Sequence, residues 1–236
     1  MGLSSGANDF LAKPFDKTEL KVRVDTLIKL KKAVDNALKA EACFLQSQIK
    51  PHFLYNTLNT IMALCITDAA KARELILDLT NYLRKSISFN NMNHLIDLKS
   101  ELSLVESFLN IEKARYGEKL KIILNIDESI NCKLPPLIIQ PIVENSIKHG
   151  IKNRVEGGMV SISIKDDESN VIIEIFDDGP GIEKEQLASL MEGRFSSEDS
   201  IGLRNIYNRM HMLYGYGPEI ESMSGKGTIV SLKIKK

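Results

Sequence analysis

The sequence predicts an α+β fold in which a long helical hairpin precedes an α/β domain. The first observation is helical periodicity, because apolar residues recur at spacings of three and four from about residue 16 to residue 89. The second is that, from Lys119 onward, short stretches alternate apolar and polar residues as strands do, with helical stretches between them. Since a two-helix hairpin cannot bury both apolar faces alone, we expect two copies to pair into a four-helix bundle.

The composition argues against several classes of partner and site. The chain carries 31 basic and 31 acidic side chains, so no net field attracts it to nucleic acid or to a membrane surface, and we expect neither partner. Without an apolar run of about 18 residues or a charged-then-apolar leader, it reads as a soluble, cytoplasmic polypeptide. Membrane anchoring of a longer natural protein stays open. Cys43, Cys65 and Cys132 match neither a zinc site nor a disulfide framework.

The chain opens with a short strand-like piece that runs into a turn at Lys13-Pro14. Asp16, followed by Glu19 three residues later, predicts the start of a helix. This piece resembles the last strand and last helix of a response-regulator receiver domain, through the Lys-Pro pair. We therefore expect residues 1–16 to be the remnant of a receiver-like domain; an arbitrary exposed terminus is the alternative.

A long helix from about residue 18 to residue 65 contains His52 immediately after Pro51. At helical spacing, four apolar and four polar residues form opposite stripes: Leu54, Leu58, Ile61 and Cys65, against Gln48, His52, Asn56 and Asn59. A proline inside a helix costs about 3 kcal/mol. Either one helix ends before Pro51 and another begins with it, or a kink holds His52 on a dimer surface as a nucleophile. Neutral imidazole suits that task because it has a free lone pair near pH 7.

The remaining elements follow in order. After a break near Thr67-Asp68, helices are predicted over residues 69–89 and 98–116, the latter ended by Gly117. Strands are predicted over residues 120–126, 159–164, 171–176 and 228–234, and helices over residues 134–150 and 203–213. This pattern divides the chain into a helical dimerisation region, residues 17–95, and an α/β domain, residues 96–236.

A strand of the second domain ends in Asp177, which Gly179 and Gly181 follow. A carboxylate fixed there can accept a hydrogen bond from an exocyclic amine such as that of adenine. The glycines would let the backbone approach the ligand. The alternative is an ordinary Asp-Gly turn.

The polar end of the helix over residues 134–150 carries Glu144, Asn145, Lys148 and His149. An amide and a carboxylate can hold a hydrated magnesium ion, and a lysine one turn on can meet phosphates. Ordinary surface charges at a helix end are the alternative.

Two further turns contain glycine. The run from Ser200 through Gly202 and Leu203 to Arg204 enters a helix, where free backbone N–H groups can bind phosphate. The run through Gly227 and Thr228 precedes the last strand, where a plain hairpin is the alternative.

Together these segments resemble the Bergerat-type ATP-binding domain that histidine kinases, gyrase, Hsp90 and MutL share. Residues 144–150 match its N box, residues 177–181 its G1 box and residues 202–203 its G2 box. When the sequence motif of residues 45–56 around His52 is added, the segment of residues 45–236 is similar to the kinase core of LytS-type sensor histidine kinases. Further matching residues are Glu112, Arg115, Tyr116, Gln140 and Pro141.

The resemblance implies a homodimer that binds ATP and Mg2+, phosphorylates its own His52 and passes the phosphoryl group to a response-regulator aspartate. Asn145 would coordinate Mg2+, Asp177 would read adenine, and Lys148 or Arg204 would offset phosphate charge. Glu144 is the candidate for accepting or orienting a proton. The implied catalytic residues are His52, Glu144 and Asn56. The implied cofactor-binding residues are Asn145, Lys148, His149, Asp177, Gly179, Gly181, Gly202, Leu203, Arg204, Gly227 and Thr228.

Three features depart from the better-known members. Phe53 stands where an acid usually follows the histidine, so the base for the imidazole proton is not identified. Ser200 replaces a usual glycine in the G2 loop, and the expected ATP lid between Ile182 and Ser200 is short. Two other functions stay open: a dimerising ATPase of the gyrase or Hsp90 type, in which Glu144 activates water, and a catalytically silent nucleotide-binding scaffold.

Overall fold

The computed structural model describes residues 18, 20–21, 24–28, 31–32, 51–90, 94–150, 154, 156–191 and 201–236. The chain divides into two compact units, residues 1–50 and 51–236. The described residues of the first unit are helical and exposed. The predicted receiver-like remnant and the residues that lead into Pro51 lie outside the described residues. Within the described ranges, no helix is long and apolar enough to cross a membrane.

The predicted helical hairpin is present in the second unit. Helix α1, Pro51–Thr67, is followed after Asp68 by helix α2, Ala69–Asn90. The Asp68 carboxylate accepts the N–H of Lys71 at 3.0 Å, which satisfies a free donor in the first turn of α2. Helix α3, Leu98–Tyr116, ends at Gly117, whose φ of 58° is in the left-handed region that glycine adopts readily. The tight break, α2 and α3 therefore agree with the sequence pattern, and α1 covers the part of the predicted long helix from Pro51 onward.

The buried face of α1 differs from the predicted apolar stripe. Phe53, Thr57 and Ile61 are buried, whereas Leu58 is 43% exposed and Cys65 is exposed. This face is buried because it contacts α2 and α3 of the same chain. The Thr57 hydroxyl is satisfied by donating to the Phe53 carbonyl oxygen at 2.8 Å.

Two short strands, β1, Ile96–Asp97, and β3, Lys133–Leu134, pair antiparallel. The strands of a larger sheet are β2, Leu120–Ile126; β4, Gly158–Asp167; β5, Asn170–Asp177; β6, Glu219–Met223; and β7, Gly227–Lys235. This five-stranded mixed sheet has the strand order β2-β4-β5-β7-β6. Strands β2 and β4 are parallel, and the other neighbours are antiparallel. The sequence pattern did not predict β1, β3 or β6.

Helices α4, Gln140–Gly150, α5, Lys184–Met191, and α6, Ile201–Tyr214, complete the domain, together with a 3-10 turn, Gly117–Lys119. Buried residues of α4 and α6 join those of the central strands in one apolar core. This arrangement confirms the predicted fold class, a helical hairpin followed by an α/β sandwich. The unpredicted α5 occupies the first part of the expected lid, and residues 192–200 lie outside the described residues.

The helix predicted over residues 134–150 begins six residues later than expected. Pro136 and Leu137 lie in a turn instead, and Leu137 has a φ of 57°. A positive φ at Leu137 interrupts a right-handed helix, so the helix does not start at the proline pair. The start at Gln140 is stabilised by Glu101 of α3, whose carboxylate accepts backbone N–H groups from this segment.

Candidate functional site

Asp177 lies at the end of β5 and is 7% exposed. Burial raises the pKa of its carboxyl to about 6, although hydrogen bonds from the Gly179 N–H and the Ser146 hydroxyl act in the opposite direction. The Gly179 N–H donates to Oδ1 at 3.1 Å. A carboxyl group is thus held at low exposure in a fixed orientation, as the recognition of an amine requires.

The glycines after Asp177 permit very close backbone packing. A Cβ atom at Gly179 would lie 2.6 Å from the Cα of Gly150, at the end of α4. Gly181 has a φ of 72°, and a Cβ atom there would overlap the Met223 carbonyl oxygen. A side chain at either position would displace the turn. These glycines therefore allow the turn to pack against both the end of α4 and the β6–β7 hairpin.

Helix α4 carries the four polar residues that the sequence singled out. Glu144, Asn145 and Lys148 are half-buried, and His149 is exposed. Asn145 directly precedes Ser146, the residue that hydrogen-bonds Asp177. Ser146 and Gly150, one turn apart, face Asp177, whereas Asn145 and Lys148 lie about 100° and 200° around the helix from Ser146.

The turn before β7 also meets this region. Thr228 is paired with Asp177 in the β5–β7 register, and Gly227 approaches the Asp177 carbonyl so closely that a Cβ atom would overlap it. The Thr228 hydroxyl lies 2.9 Å from that of Ser222, which accepts the Ile182 N–H at 2.8 Å. The hairpin that was the alternative interpretation of this turn is present, and it also supports the glycine turn.

The N-terminus of α6 lies beside the first turn of α4. A Cβ atom at Gly202 would lie 3.6 Å from Pro141 Cβ, an ordinary contact, so packing alone does not demand glycine there. Leu203 packs against the core, and Arg204 is exposed. The first residues of both helices are thus adjacent, and the N–H groups at the start of α6 can receive an anion.

His52 is exposed on α1 and contacts Asn56 one turn later. The Asn56 Nδ2 atom lies 3.0 Å from Nδ1 and 3.2 Å from Nε2 of the imidazole. The next side chain, Phe53, is anchored in an aromatic cluster with Tyr82 and Phe108, at ring-centroid distances of 5.0 and 5.5 Å. The exposed imidazole of His52 therefore lies on a helix whose next residue, Phe53, is fixed in the core.

Polar side chains connect the hairpin to α4. Gln140 Nε2 lies 3.3 Å from the Tyr82 hydroxyl and 3.4 Å from Glu144. Nearby, the buried Glu112 forms an ion pair with the partly exposed Arg115 at 3.3 Å, and burial raises the pKa of Glu112. These contacts link the aromatic cluster beneath His52 to the helix that carries Glu144.

The structure brings five of the predicted residues of the second domain to one end of the sheet: Asp177, Gly179, Gly181, Gly227 and Thr228. Gly202 lies beside Pro141 at the start of α4. His52 and Asn56 lie on the hairpin, outside this group. Sequence reasoning missed Ser146 and Ser222, which support Asp177 and the glycine turn. The spacing of Ser146 and Gly150, one helical turn apart, could have indicated that both face Asp177.

The donor set suits magnesium bound to a phosphate ligand. No group of three or more histidine, cysteine, aspartate or glutamate side chains could hold a metal among the described residues. Magnesium in phosphate-transfer sites takes one or two protein oxygens and completes its shell with phosphates and water. The half-buried amide of Asn145 offers such an oxygen, so the residues present fit this ion.

Comparisons with known proteins match both parts of the chain to described families. Residues 40–120 match the family described as histidine kinase. Residues 135–236 match the family of histidine kinase-, DNA gyrase B- and HSP90-like ATPases. The chain also resembles the catalytic domain of the histidine kinase ThkA in fold, with a TM-score of 0.50 and 16% identity over 61% of this chain and 98% of that one.

Two relatives differ in how much of their length is matched. The YwpD protein of Bacillus subtilis is 42% identical over 231 residues, which cover 98% of this chain and 82% of that protein. The sensor histidine kinase YpdA of Escherichia coli is 40% identical over 198 residues, covering 84% of this chain and 34% of that protein. The chain thus spans about a third of the length of that sensor kinase.

Proposed function

This chain belongs to the histidine kinase family, in the group that includes the YpdA and LytS sensor proteins, and from that premise we propose that it transfers the γ-phosphoryl group of ATP to its own His52. The phosphoryl group then passes to an aspartate of a response regulator in two-component signalling. The observation that carries the choice of nucleophile is the exposure of His52 beside Phe53, which is anchored in the core.

The α/β domain binds the nucleotide. Asp177 accepts a hydrogen bond from the exocyclic amine of adenine, and Gly179 and Gly181 keep side chains away from the base. The phosphates extend toward the start of α6 at Gly202, where backbone N–H groups and the helix dipole favour negative charge. The other cofactor-binding candidates are Lys148, His149, Leu203, Arg204, Gly227 and Thr228, and either Lys148 or Arg204 offsets phosphate charge.

Asn145 is the proposed protein ligand of Mg2+. Its amide oxygen comes from the helix that also positions Ser146 against Asp177, so adenine recognition and metal binding share one rigid element. When bound, Mg2+ neutralises charge on the phosphate oxygens.

In the transfer step, a lone pair on a His52 ring nitrogen forms a P–N bond with the γ-phosphorus. The bond to the bridging oxygen breaks, and ADP leaves with that electron pair. The proton on the second ring nitrogen is then released, with Glu144 as the candidate that accepts or orients it. Asn56 fixes the orientation of the imidazole through its 3.0 Å contact.

The exposed apolar residues of the hairpin supply a dimer surface. Leu58, Met62, Ile66 and Leu77 are all large and exposed in the single chain. Burial of these side chains against a second copy completes a four-helix bundle and forms the homodimer. In this proposal residues 17–95 form the dimerisation and phosphoacceptor region and residues 96–236 the ATP-binding domain, while residues 1–16 are a receiver-like remnant.

The test is incubation of the purified chain with γ-labelled ATP and Mg2+. We expect label on the protein that survives alkali, is lost in acid and is absent from His52→Gln, which should still bind ATP. His94→Gln, a change at another exposed histidine, is the matched control and should be labelled normally. Label retained by His52→Gln would overturn the choice of nucleophile, and free phosphate without protein label would favour the ATPase alternative.

The metal assignment has its own test. Asn145→Ala should lose Mg-ATP binding, as titration calorimetry can measure. Unchanged affinity in that variant would remove Asn145 from the metal site and leave the choice of His52 intact.

A further inference from the structure

Glu101 is a buried carboxylate that the proposed transfer step does not use. It belongs to α3 and is 0% exposed. Its two oxygens accept backbone N–H groups from a segment 36 to 39 residues away: Leu137 at 2.9 Å, Ile139 at 3.1 Å and Gln140 at 3.4 Å. These donors lie at the start of α4, so a residue of another helix caps the helix that carries Asn145.

Arg209 of α6 reaches the same segment. Its guanidinium donates a hydrogen bond to the Pro136 carbonyl oxygen. The charge of Glu101 also favours the protonated form of Arg209 against the effect of its partial burial. Helices α3 and α6 thus both hold residues 136–140, one through backbone N–H groups and the other through a carbonyl oxygen.

The segment that follows residues 136–140 contacts the predicted phosphate site. Pro141, the next residue of α4, lies beside Gly202 at the start of α6. Asn145 follows Pro141 by about one helical turn. Any shift of the first turn of α4 therefore changes the spacing between Asn145 and the N–H groups that follow Gly202.

We propose that Glu101 is a positioning residue of the nucleotide site, because it sets the spacing between the helix that carries Asn145 and the start of α6. An ordinary helix cap comes from the residue next to the helix. Here the residue next to the helix is Ile139, whose side chain has no acceptor, and the capping carboxylate comes from a separate helix, α3. This inference rests on the proposed function, since it requires that the site bind a nucleotide.

The first test is Glu101→Gln, which keeps the length of the side chain but loses its charge and one acceptor. The dissociation constant of a fluorescent ATP analogue should rise about tenfold, the factor that corresponds to one hydrogen bond to a charged group. The labelling rate at saturating ATP should stay within about twofold, because the nucleophile and its surroundings are unchanged. Glu106→Gln, an exposed glutamate of the same helix, is the control and should bind normally.

A double-mutant cycle with Arg209→Gln separates positioning from simple stabilisation. Each single change should weaken nucleotide binding, and the double change should weaken it by less than the product of the two factors. If Glu101→Gln does not fold, Arg209→Gln alone must still weaken binding several-fold.

These experiments distinguish a failure of the proposed function from a failure of the positioning role. A wild-type chain that binds no nucleotide would refute the proposed function itself. A wild-type chain that binds, with Glu101→Gln binding equally well and only melting earlier, would refute the positioning role alone. Strictly multiplicative effects in the cycle would refute the link between Glu101 and Arg209.

Discussion

Replacement of Asp177 by asparagine should stabilise the protein without nucleotide and at the same time remove adenine recognition. The side chain is almost fully buried, which disfavours its charged form. Asparagine has nearly the same shape and keeps an oxygen that can accept from the Gly179 N–H and the Ser146 hydroxyl. It removes only the charge and one acceptor.

The size of the stability effect follows from the pKa of Asp177. Burial raises that pKa from 3.8 to about 6, a difference of about two pH units. At about 1.4 kcal/mol per unit, ionisation lowers the free energy of unfolding by at most about 3 kcal/mol. Because the folded state holds the proton more tightly, this stability is present below about pH 4 and is lost as the pH rises through about 6.

The binding effect has the opposite direction. An ionised Asp177 can accept a hydrogen bond from the adenine amine, whereas the NH2 group of asparagine would place a donor against a donor. We expect the ATP affinity of Asp177→Asn to fall about a hundredfold, as for a polar pocket whose partner is lost. The affinity of the wild-type chain should fall as the pH is lowered through about 6, because the carboxyl is then protonated.

The assay is urea unfolding at pH 4.5 and pH 8, combined with titration calorimetry at pH 8. Asp177→Asn should be more stable than wild type by up to about 3 kcal/mol at pH 8 and by much less at pH 4.5. Asp167→Asn, an exposed aspartate on the same sheet, is the control. The same stability difference at both pH values, or unchanged ATP affinity, would refute the reasoning.

Two further substitutions test the packing of the site and of the hairpin. Gly181→Ala should destabilise the protein by about 3 kcal/mol, because a positive φ and an overlap with the Met223 carbonyl add together. Gly225→Ala, at a positive φ in open space, should cost about 1 kcal/mol. Equal losses of the free energy of unfolding in urea would contradict this prediction. Phe53→Ala should lower the free energy of unfolding by about 3 kcal/mol and slow labelling of the adjacent His52. Tyr55→Ala, at a side chain that is 68% exposed, should lower it by less than about 0.5 kcal/mol. Comparable unfolding midpoints for both variants would show that the aromatic cluster does not anchor α1.

Local pattern was sufficient for elements whose ends depend on their own residues. Helix α3 has the predicted bounds because its apolar periodicity and Gly117 both lie within the segment. Strand β2 also has the predicted bounds, since period-two alternation is a property of the strand itself. In the candidate site, Asp177 and its two glycines were predictable for the same reason: one turn contains all three.

Tertiary contacts decided the features that the pattern missed. Helix α4 begins late because Glu101, 39 residues before Gln140 in the chain, caps it, and no local signal records that partner. The buried face of α1 is the one that carries Phe53, since α2 and α3 pack there, although the apolar stripe predicted for α1 includes Leu58.

One physical cause explains both the features that the sequence pattern predicted and those that it missed. Backbone conformation at a turn or along a strand depends on neighbours in sequence, so the residue types there determine it. The orientation of a helix face, the cap of α4 and the support of Asp177 by Ser146 depend on which elements meet in space. The sequence by itself therefore determined the order of the elements, the glycine turn and the exposed histidine, and the packing of the helices on the sheet decided how they come together.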